Sequence, residues 1–258
     1  MRVDLNADMG EGFGPWSMGA DADLLKVITS ANIACGFHAG DPDVMAQSMT
    51  LAVENGVGIG AHPGLPDLQG FGRRRMDISL DAAHNLVAYQ LGAAQAMAQV
   101  AGGHVRHLKL HGALANMAAA DEELARACYT GALAVDHDII IMVISGTAQE
   151  RAARGLGARI ACEIFADRAY AEDGQLMDRR LPGAVLHDPD SIAARILEML
   201  RAGAIITAQG THLPARIDTI CLHGDTAGAV ALARTLHTGL QAAGISIQPF
   251  DGIRADRQ

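Results

Sequence analysis

Half of the 258 residues are hydrophobic and only 19% are charged, so the chain can bury a sizeable core and intrinsic disorder is excluded. The net charge of −9 argues against a protein that binds nucleic acid through its charge. Aromatic residues make up only 3%, so we expect a core of Ala, Val, Ile, Leu and Met. The 20 cationic residues include only two lysines, Lys26 and Lys109.

Several other classes of protein are disfavoured by missing signals. The N-terminal ten residues lack the apolar region of a signal peptide, and the longest strongly apolar run, 139–144, is far too short to span a bilayer. We therefore expect a cytoplasmic protein with no membrane contact. The four cysteines form no CxxC pair, which favours buried thiols over a zinc site or disulfides. Neither lysine follows a glycine, so no Walker A motif is present.

Strand and helix patterns alternate along the chain. The predicted strands are 3–7, 32–35, 57–61, 105–110, 139–144, 158–165, 204–207 and 219–222. Helices are predicted to begin near Asp21, Pro42, Ser79, Asp121, Pro189 and Ala227, and the last is expected to end before Gly244. An aspartate followed by a proline marks two of these starts, because the carboxylate caps the helix and proline fits its first position.

This alternation, with no linker or shift in composition, predicts a parallel α/β fold. At this length, a single closed or nearly closed β/α barrel over residues 1–258 fits better than two domains. An open doubly wound sheet is the main competitor. Its GxGxxG signature is missing, because Gly10, Gly12 and Gly14 fall at every second position instead.

Ionisable and polar residues follow six of the predicted strands. They are Asn6, Asp8 and Glu11, then His38 and Asp41, His62, Lys109 and His111, Glu163 and Asp167, and His223 and Asp225. Side-chain alternation puts Asp8 on one face with Asn6, and Lys109 on one face with His111. In parallel α/β folds the ligand lies at the C-terminal ends of the strands, so these residues are predicted to surround one site.

Each residue also has a structural interpretation. Asp41 and Asp225 would serve as helix caps, and the arginine run from Arg73 would be a solvated loop. The remaining histidines, His104, His107, His137, His187 and His237, are interpreted as ordinary surface or packed residues. A structural role easily explains an ionisable residue at one strand end, but it does not easily explain such residues at six. The coincidence favours a functional site.

The residue types permit more than one chemistry. Asp8, His38 and His62 have the composition of a divalent-metal site, but no HExxH motif supports it, so a metal stays an open alternative and no tightly bound cofactor is expected. No GxSxG motif points to a nucleophilic serine. General acid–base chemistry with carboxylates, histidines and one lysine is favoured.

Long segments at these positions resemble the LamB/YcsF family. They are DLNADMGE (4–11), SANIACGFHAGDP (30–42), GAHP (60–63), GFGRR (70–74), YQ (89–90), KLHGAL (109–114), EIFADRAY (163–170), PGAV (182–185) and CLHGD (221–225). The resemblance covers nearly the whole chain. It implies a seven-stranded β/α barrel related to glycoside hydrolases and polysaccharide deacetylases.

The resemblance also implies an activity. Bacterial members are the A subunit of an ATP-dependent 5-oxoprolinase, which opens 5-oxo-L-proline to L-glutamate and also contains B and C subunits. ATP is then a co-substrate that phosphorylates the lactam oxygen, and this chain is expected to open the activated ring. Asp8 or Glu163 would activate water, while His38, His62 and His223 would orient and protonate groups. Lys109 with Arg73 or Arg168 would balance phosphate or carboxylate charge.

The remaining site residues follow from the same resemblance and position. His111 is assigned to catalysis, and substrate or ATP binding is assigned to Asn6, Glu11, Asp41, Arg73, Asn116, Asp167, Arg168 and Asp225. Two departures from the family pattern are Leu110, commonly a proline, and Ala115, commonly a tyrosine. A cyclic amide other than 5-oxoproline is therefore an alternative substrate. The alternative functions are a metal-dependent deacetylase-like hydrolase and a non-catalytic substrate-binding subunit.

Overall fold

The computed structural model describes residues 1–222 and 228–254. The strands are β1 (Arg2–Met9), β2 (Ser30–Ala34), β3 (Gly58–His62), β4 (Val105–Lys109), β5 (Ile140–Ile144), β6 (Arg159–Phe165), β7 (Ala204–Ile206), β8 (His212–Pro214), β9 (Thr219–Leu222), β10 (Ser246–Ile247) and β11 (Ile253–Arg254). The helices are α1 (Asp21–Leu24), α2 (Pro42–Glu54), α3 (Leu80–Val100), α4 (Gly112–Ala120), α5 (Glu122–Val135), α6 (Ala148–Gly155), α7 (Pro189–Ala202) and α8 (Ala229–Ala242).

Seven strands form a closed parallel barrel. β1 pairs with β2, and parallel pairing continues through β3, β4 and β5 to β6. β9 pairs in parallel with both β6 and β1 and so closes the sheet. The prediction of a seven-stranded β/α barrel is confirmed, and the competing open doubly wound sheet is excluded.

The predicted capping signals operate as expected. The Asp41 carboxylate accepts hydrogen bonds from the backbone N–H groups of Asp43 and Val44, both at 2.9 Å, and Pro42 takes the first position of α2. α7 also begins with a proline, directly after a capping aspartate. It ends at Gly203, whose φ of 58° lies in the left-handed region that glycine adopts without strain.

Alternation along β1 separates an apolar layer from a polar interior. Leu5 is fully buried in the apolar layer between barrel and helices. Asp4, Asn6 and Asp8 point the other way, into the barrel, because successive side chains of a strand point to opposite faces. Asn6 reaches Lys109 of β4, which lies three strands away around the barrel. The polar residues of β1 therefore line the interior.

The last described residues close the N-terminal end of the barrel. β10 pairs with the start of β1, and β11 pairs in the antiparallel direction with the start of β6. Between them, Phe250 is buried against Ile140, Met142 and Ala161 from inside the barrel. This apolar plug closes the end opposite to the one where the sequence predicts the site.

Some elements differ from the sequence prediction. The predicted strand at 204–207 lies outside the barrel, because among the described residues β7 pairs with β8 alone, in an antiparallel hairpin. A short apolar run bounded by glycine indicates a strand but does not identify its partner. α4, α6 and the short strands β8, β10 and β11 were not predicted. The last helix begins at Ala229, and residue 227, its predicted start, lies outside the described residues.

A membrane-spanning helix would need a long apolar stretch, and no helix within the described residues has one.

Candidate active site

A buried lysine lies at the centre of the C-terminal half of the barrel. Lys109 Nζ donates to Asp8 Oδ1 at 2.9 Å and lies 2.8 Å from Glu163 Oε1. It also donates to the Cys221 sulfur at 3.0 Å and to Asn6 Oδ1 at 3.4 Å. Two carboxylates therefore face one ammonium group, and the lysine charge compensates buried negative charge at this centre.

Burial and charge act in opposite directions on these groups. Burial alone would lower the pKa of Lys109, but Asp8, together with Cys221 and Glu163, raises that pKa well above its ordinary value. Burial also raises the pKa of Glu163, while Lys109 lowers it in part. Lys109 is therefore a fixed positive charge at neutral pH, and it cannot act as a base there.

A second set of buried residues orients Asp8. Asn32 Nδ2 donates to Asp8 Oδ1 at 2.9 Å and to Asn6 Oδ1 at 2.8 Å. The amide oxygen of Asn32 faces His107 Nε2 at 2.8 Å. Burial lowers the pKa of His107 to about 3, so the ring is neutral and donates from Nε2. His107, which was predicted to be an ordinary packed or surface residue, thereby fixes which way Asn32 presents its amide to Asp8.

Three histidines and a glutamate form a cluster beside Asp8. His62 Nε2 lies 3.0 Å from His111 Nδ1 and 3.4 Å from Asp8 Oδ2. The rings of His38 and His111 are stacked, with centroids 3.6 Å apart. Glu11 Oε1 lies 3.7 Å from His38 Nε2 and from His111 Nδ1. All four cluster residues, Glu11, His38, His62 and His111, are buried.

Two histidines of this cluster are held neutral by their surroundings. Burial, with a contribution from neighbouring rings, lowers the pKa of His38 well below its ordinary value and the pKa of His111 to about 3. A neutral imidazole has one nitrogen lone pair, so it can accept a proton or bind a cation.

A cavity of about 790 Å³ opens over the Asp8–Lys109 pair. His62 and His111 form one wall, and the start of α4 forms another. The charged and amide-bearing residues that line the cavity are Asp8, Lys109, Arg73, Arg75, Asn116, Arg168, Gln175, Asp178, Arg179 and Arg180. Five arginines and one lysine against two aspartates give the cavity a positive charge, in a chain whose net charge is −9. The cavity is therefore suited to an anionic ligand.

Three of the five cavity arginines contact nearby groups. The Arg168 guanidinium is buried and donates to the backbone carbonyl of Met177 at 2.5 Å. Arg180 pairs with Asp178 at 2.5 Å. The guanidinium carbon of Arg73 lies 4.8 Å from the Phe71 ring centroid. These contacts preorganise part of the positive wall.

The structure brings most of the predicted site residues together. Asn6, Asp8, Lys109 and Glu163 meet in the barrel, Glu11, His38, His62 and His111 form the cluster, and Arg73, Asn116 and Arg168 line the cavity.

Two predicted residues lie elsewhere. Asp41 caps α2 and also accepts a hydrogen bond from the Gly14 N–H at 2.6 Å, which is the structural interpretation considered for it. Asp167 is buried after β6 and is not among the lining residues of the cavity. His223 and Asp225 lie outside the described residues.

Several residues of the site were not predicted. Asn32 and Cys221 stand inside the quoted family segments, and strand alternation could have placed Asn32 on the interior face. Arg75, Arg179 and Arg180 come from irregular segments, where no periodicity indicates which way a side chain points. Their only signal is clustered arginine in an acidic chain.

Comparison with known proteins agrees with this architecture. The sequence profile of the LamB/YcsF family matches residues 3–255. The 5-oxoprolinase A subunit of Ruegeria pomeroyi is 66% identical over 250 residues, covering 97% of this chain and 99% of the relative. A Rhodopseudomonas palustris protein of the same name is 51% identical over 253 residues, covering 98% of this chain and 100% of the relative.

Solved structures show the same fold. The lactam utilization protein from Thermus thermophilus has a TM-score of 0.91 at 40% identity, covering 97% of this chain and 100% of that one. A T48 deacetylase in complex with substrate has a TM-score of 0.51 at 13% identity, covering 98% of this chain and 94% of that one. The second likeness concerns the fold alone.

Proposed function

Because the chain belongs to the LamB/YcsF family, we propose that it is the A subunit of an ATP-dependent 5-oxoprolinase and that it opens the lactam ring of 5-oxo-L-proline. Relatives that carry the name of this 5-oxoprolinase component match it over almost its whole length. That name implies further subunits, and we propose that these are the B and C subunits, which deliver the lactam activated by phosphate from ATP.

The observation that carries the proposal is the positive cavity over the Asp8–Lys109 pair. 5-Oxo-L-proline bears a carboxylate, and its phosphorylated form bears additional negative charge. Guanidinium groups bind both through charge-assisted hydrogen bonds. Arg73 and Arg168 line this cavity and are proposed to hold the phosphate and the carboxylate.

Asp8 is the better candidate for the general base of the two carboxylates considered. It lines the cavity, whereas Glu163 lies behind Lys109 and is only 1% exposed. A general base must lie within hydrogen-bond reach of the water that it deprotonates. Asn32 and Lys109 hold one carboxylate oxygen of Asp8, so the other is oriented by the same contacts.

The proposed reaction balances with two waters. Asp8 takes a proton from the first water while the oxygen of that water bonds to the activated ring carbon. The carbon–nitrogen bond then breaks, the proton held by Asp8 passes to the departing nitrogen, and the added hydroxyl becomes a carbonyl as its own proton also goes to the amine. The product is an acyl phosphate, and a second water converts it to L-glutamate and inorganic phosphate. Lys109 stabilises negative charge that develops at the reacting carbon's oxygens.

A reconstituted assay tests this function. Glutamate release from 5-oxo-L-proline and ATP is measured with the B and C subunits, with and without this chain. We expect release only when the chain is present. We expect Lys109→Met to lower kcat at least about 100-fold, as loss of a preorganised charge does in other enzymes. Lys26→Met is the matched control, because Lys26 is an exposed lysine paired with Asp23.

Three results would contradict the proposal. Undiminished turnover without the chain would remove its catalytic role. Unchanged kcat in Lys109→Met with weaker substrate binding would favour a non-catalytic binding subunit. Lactam hydrolysis by the chain alone without ATP would favour a metal-dependent hydrolase of the deacetylase type.

A different cyclic amide is the second candidate substrate, and one observation favours it. Ala115 lines the cavity at the position where the family commonly has tyrosine, which leaves room for a larger ring substituent. The same assay with substituted five- and six-membered lactams measures kcat/KM for each. A higher value for a bulkier lactam than for 5-oxo-L-proline would reassign the substrate.

A further inference from the structure

The donor atoms of Glu11, His38, His62 and His111 lie close together. One ligand atom from each lies within 4.8 Å of the others, and the residues are between 0% and 7% exposed. In a tetrahedral zinc site, metal–ligand distances near 2 Å put the ligand atoms about 3.3 Å apart. The separations of 3.0 Å between His62 Nε2 and His111 Nδ1, and 3.7 Å from Glu11 Oε1 to His111 Nδ1, lie close to that value.

Hydrogen bonds behind the two facing rings determine where their lone pairs point. His62 Nδ1 lies 2.8 Å from the backbone carbonyl of Lys109, and His111 Nε2 lies 2.9 Å from the backbone carbonyl of Phe71. A carbonyl only accepts, so both of these nitrogens carry the hydrogen. His62 Nε2 and His111 Nδ1 therefore face each other with lone pairs and cannot share a hydrogen bond. A cation between them turns this repulsion into attraction, and backbone carbonyls behind the rings are the usual partners of metal-bound histidines.

His38 provides an independent observation. The side chain is fully buried, and neither Nδ1 nor Nε2 has a hydrogen-bond partner among the described residues. A buried polar group without a hydrogen-bond partner destabilises the folded chain. An extra proton on His62 or His111 would relieve the facing lone pairs but would leave both His38 nitrogens unpartnered. A metal ion between the rings gives one His38 nitrogen a partner and also binds the facing lone pairs of His62 and His111.

Two glycines hold the rings in place. A side chain at Gly72, whose φ is 61°, would come within 2.6 Å of His38 Cβ and 2.9 Å of His111 Cδ2. One at Gly64 would come within 2.6 Å of His38 Nδ1. The backbone thus packs directly against the cluster, which limits the rotation of both rings.

We propose that Glu11, His38, His62 and His111 bind one divalent transition-metal ion in the wall of the cavity. Three imidazoles and one carboxylate suit zinc, cobalt, manganese or iron better than calcium or magnesium. Asp8 Oδ2 lies 3.4 Å from His62 Nε2, so the ion lies beside the carboxylate to which general-base catalysis was assigned. The ring opening described above uses protein groups alone, so this site goes beyond it.

Cobalt(II) binding to the full chain tests the site. Protein stripped with EDTA is titrated with Co²⁺ while visible absorption and bound cobalt are measured. We expect one ion per chain, with an absorption band of nitrogen and oxygen ligation. We expect at least tenfold weaker binding in His38→Asn and in Glu11→Gln, and unchanged binding in His137→Asn, whose ring is 80% exposed on the surface.

Anomalous diffraction at the cobalt edge from wild-type crystals locates the ion without any variant, which covers the case of a variant that does not fold. An ion at the cluster supports the site. The proposed site is overturned if no cobalt binds, if the ion lies elsewhere, or if both cluster variants bind cobalt as tightly as the wild type. Since the measurement is metal binding by the chain alone, a negative result leaves the glutamate-release test of the proposed function unaffected.

Discussion

Asp4 and Asp8 lie on the same face of β1, both inside the barrel, yet their surroundings differ. Asp4, near the plugged end, accepts hydrogen bonds from Thr29, Ser30 and Thr219 at 2.5–2.7 Å. Asp8, at the open end, faces a lysine, a histidine cluster and the cavity. Hydroxyl groups thus hydrogen-bond both carboxylate oxygens of Asp4. The open end instead concentrates charged groups and histidine lone pairs, and both His38 nitrogens there lack a hydrogen-bond partner among the described residues, which is typical of a site that binds a ligand.

The difference also concerns what holds each carboxylate. Neutral hydroxyl donors surround Asp4, and burial raises its pKa to about 6. A lysine ammonium lies against Asp8 instead. The closed end therefore contributes to the structure, whereas the open end is organised by charge. Substitutions at both ends and at the surface of the barrel test this division.

Among substitutions that leave both Asp8 and Lys109 in place, the largest effect is expected at Glu163, which holds the far side of Lys109. Glu163→Gln removes one charge of the buried centre and allows Lys109 to turn toward Asp8. We expect kcat for glutamate release to fall about 100-fold. Glu150→Gln, which removes a glutamate paired with Arg154 on α6, should leave kcat unchanged. Equal kcat values for the two variants would show that the charge behind Lys109 has no part in turnover.

The next effect in size, on stability alone, is expected at Asp4. Its folded-state pKa of about 6 exceeds the 3.8 of an unperturbed aspartate, so the folded chain binds this proton more tightly than the unfolded chain does. The group's contribution to stability is therefore present at low pH and is lost as the pH rises through 6. The free energy of unfolding of the wild type minus that of Asp4→Asn should be about 2 kcal/mol greater at pH 4.5 than at pH 7. Urea unfolding at both pH values measures this, and a difference independent of pH would contradict the assignment.

A moderate effect on binding is expected in the positive wall. Arg73→Ala removes an exposed guanidinium from the cavity, so KM for the lactam should rise about tenfold with a smaller change in kcat. Steady-state kinetics of the reconstituted complex separates the two parameters. Arg151→Ala removes an arginine paired with Glu122 away from the cavity and should alter neither. A lower kcat with unchanged KM would transfer Arg73 from binding to the chemical step.

The smallest effect is expected at Asp41. Asp41→Ala removes the cap of α2, which should lower the free energy of unfolding by about 1 kcal/mol. Glutamate release per folded chain should not change, because the carboxylate bonds to backbone N–H groups outside the cavity. Denaturant unfolding and turnover are measured on the same preparation. A large loss of turnover without a loss of stability would return Asp41 to the functional residues.

Local patterns predicted a parallel β/α barrel, while the count of seven strands came from the family resemblance. Strand alternation put Asp4, Asn6 and Asp8 on one face, and aspartate–proline pairs marked two helix starts. The pairing of β7 with β8 was not predictable, because a strand's partner depends on contacts between segments distant in sequence.

The same limit applies to the site. The C-terminal ends of parallel barrel strands lie at the same end of the barrel. The sequence could therefore predict that Asp8, His62 and Lys109 lie close together. Glu11 and His38 come from loops, and their approach to His111 depends on how those loops fold over the barrel. Composition suggested Asp8 as a metal ligand. The geometry instead groups Glu11 and His111 with His38 and His62, and leaves Asp8 beside them.

The most direct test compares Asp4→Asn with Asp8→Asn in the reconstituted complex, with turnover normalised to folded chain. Each variant replaces one buried carboxylate of β1 by a similarly shaped amide. We expect at least about a 100-fold lower kcat for Asp8→Asn and a kcat within about twofold of wild type for Asp4→Asn. Equal losses in both variants, or a greater loss in Asp4→Asn, would contradict the assignment of chemistry to the open end of the barrel.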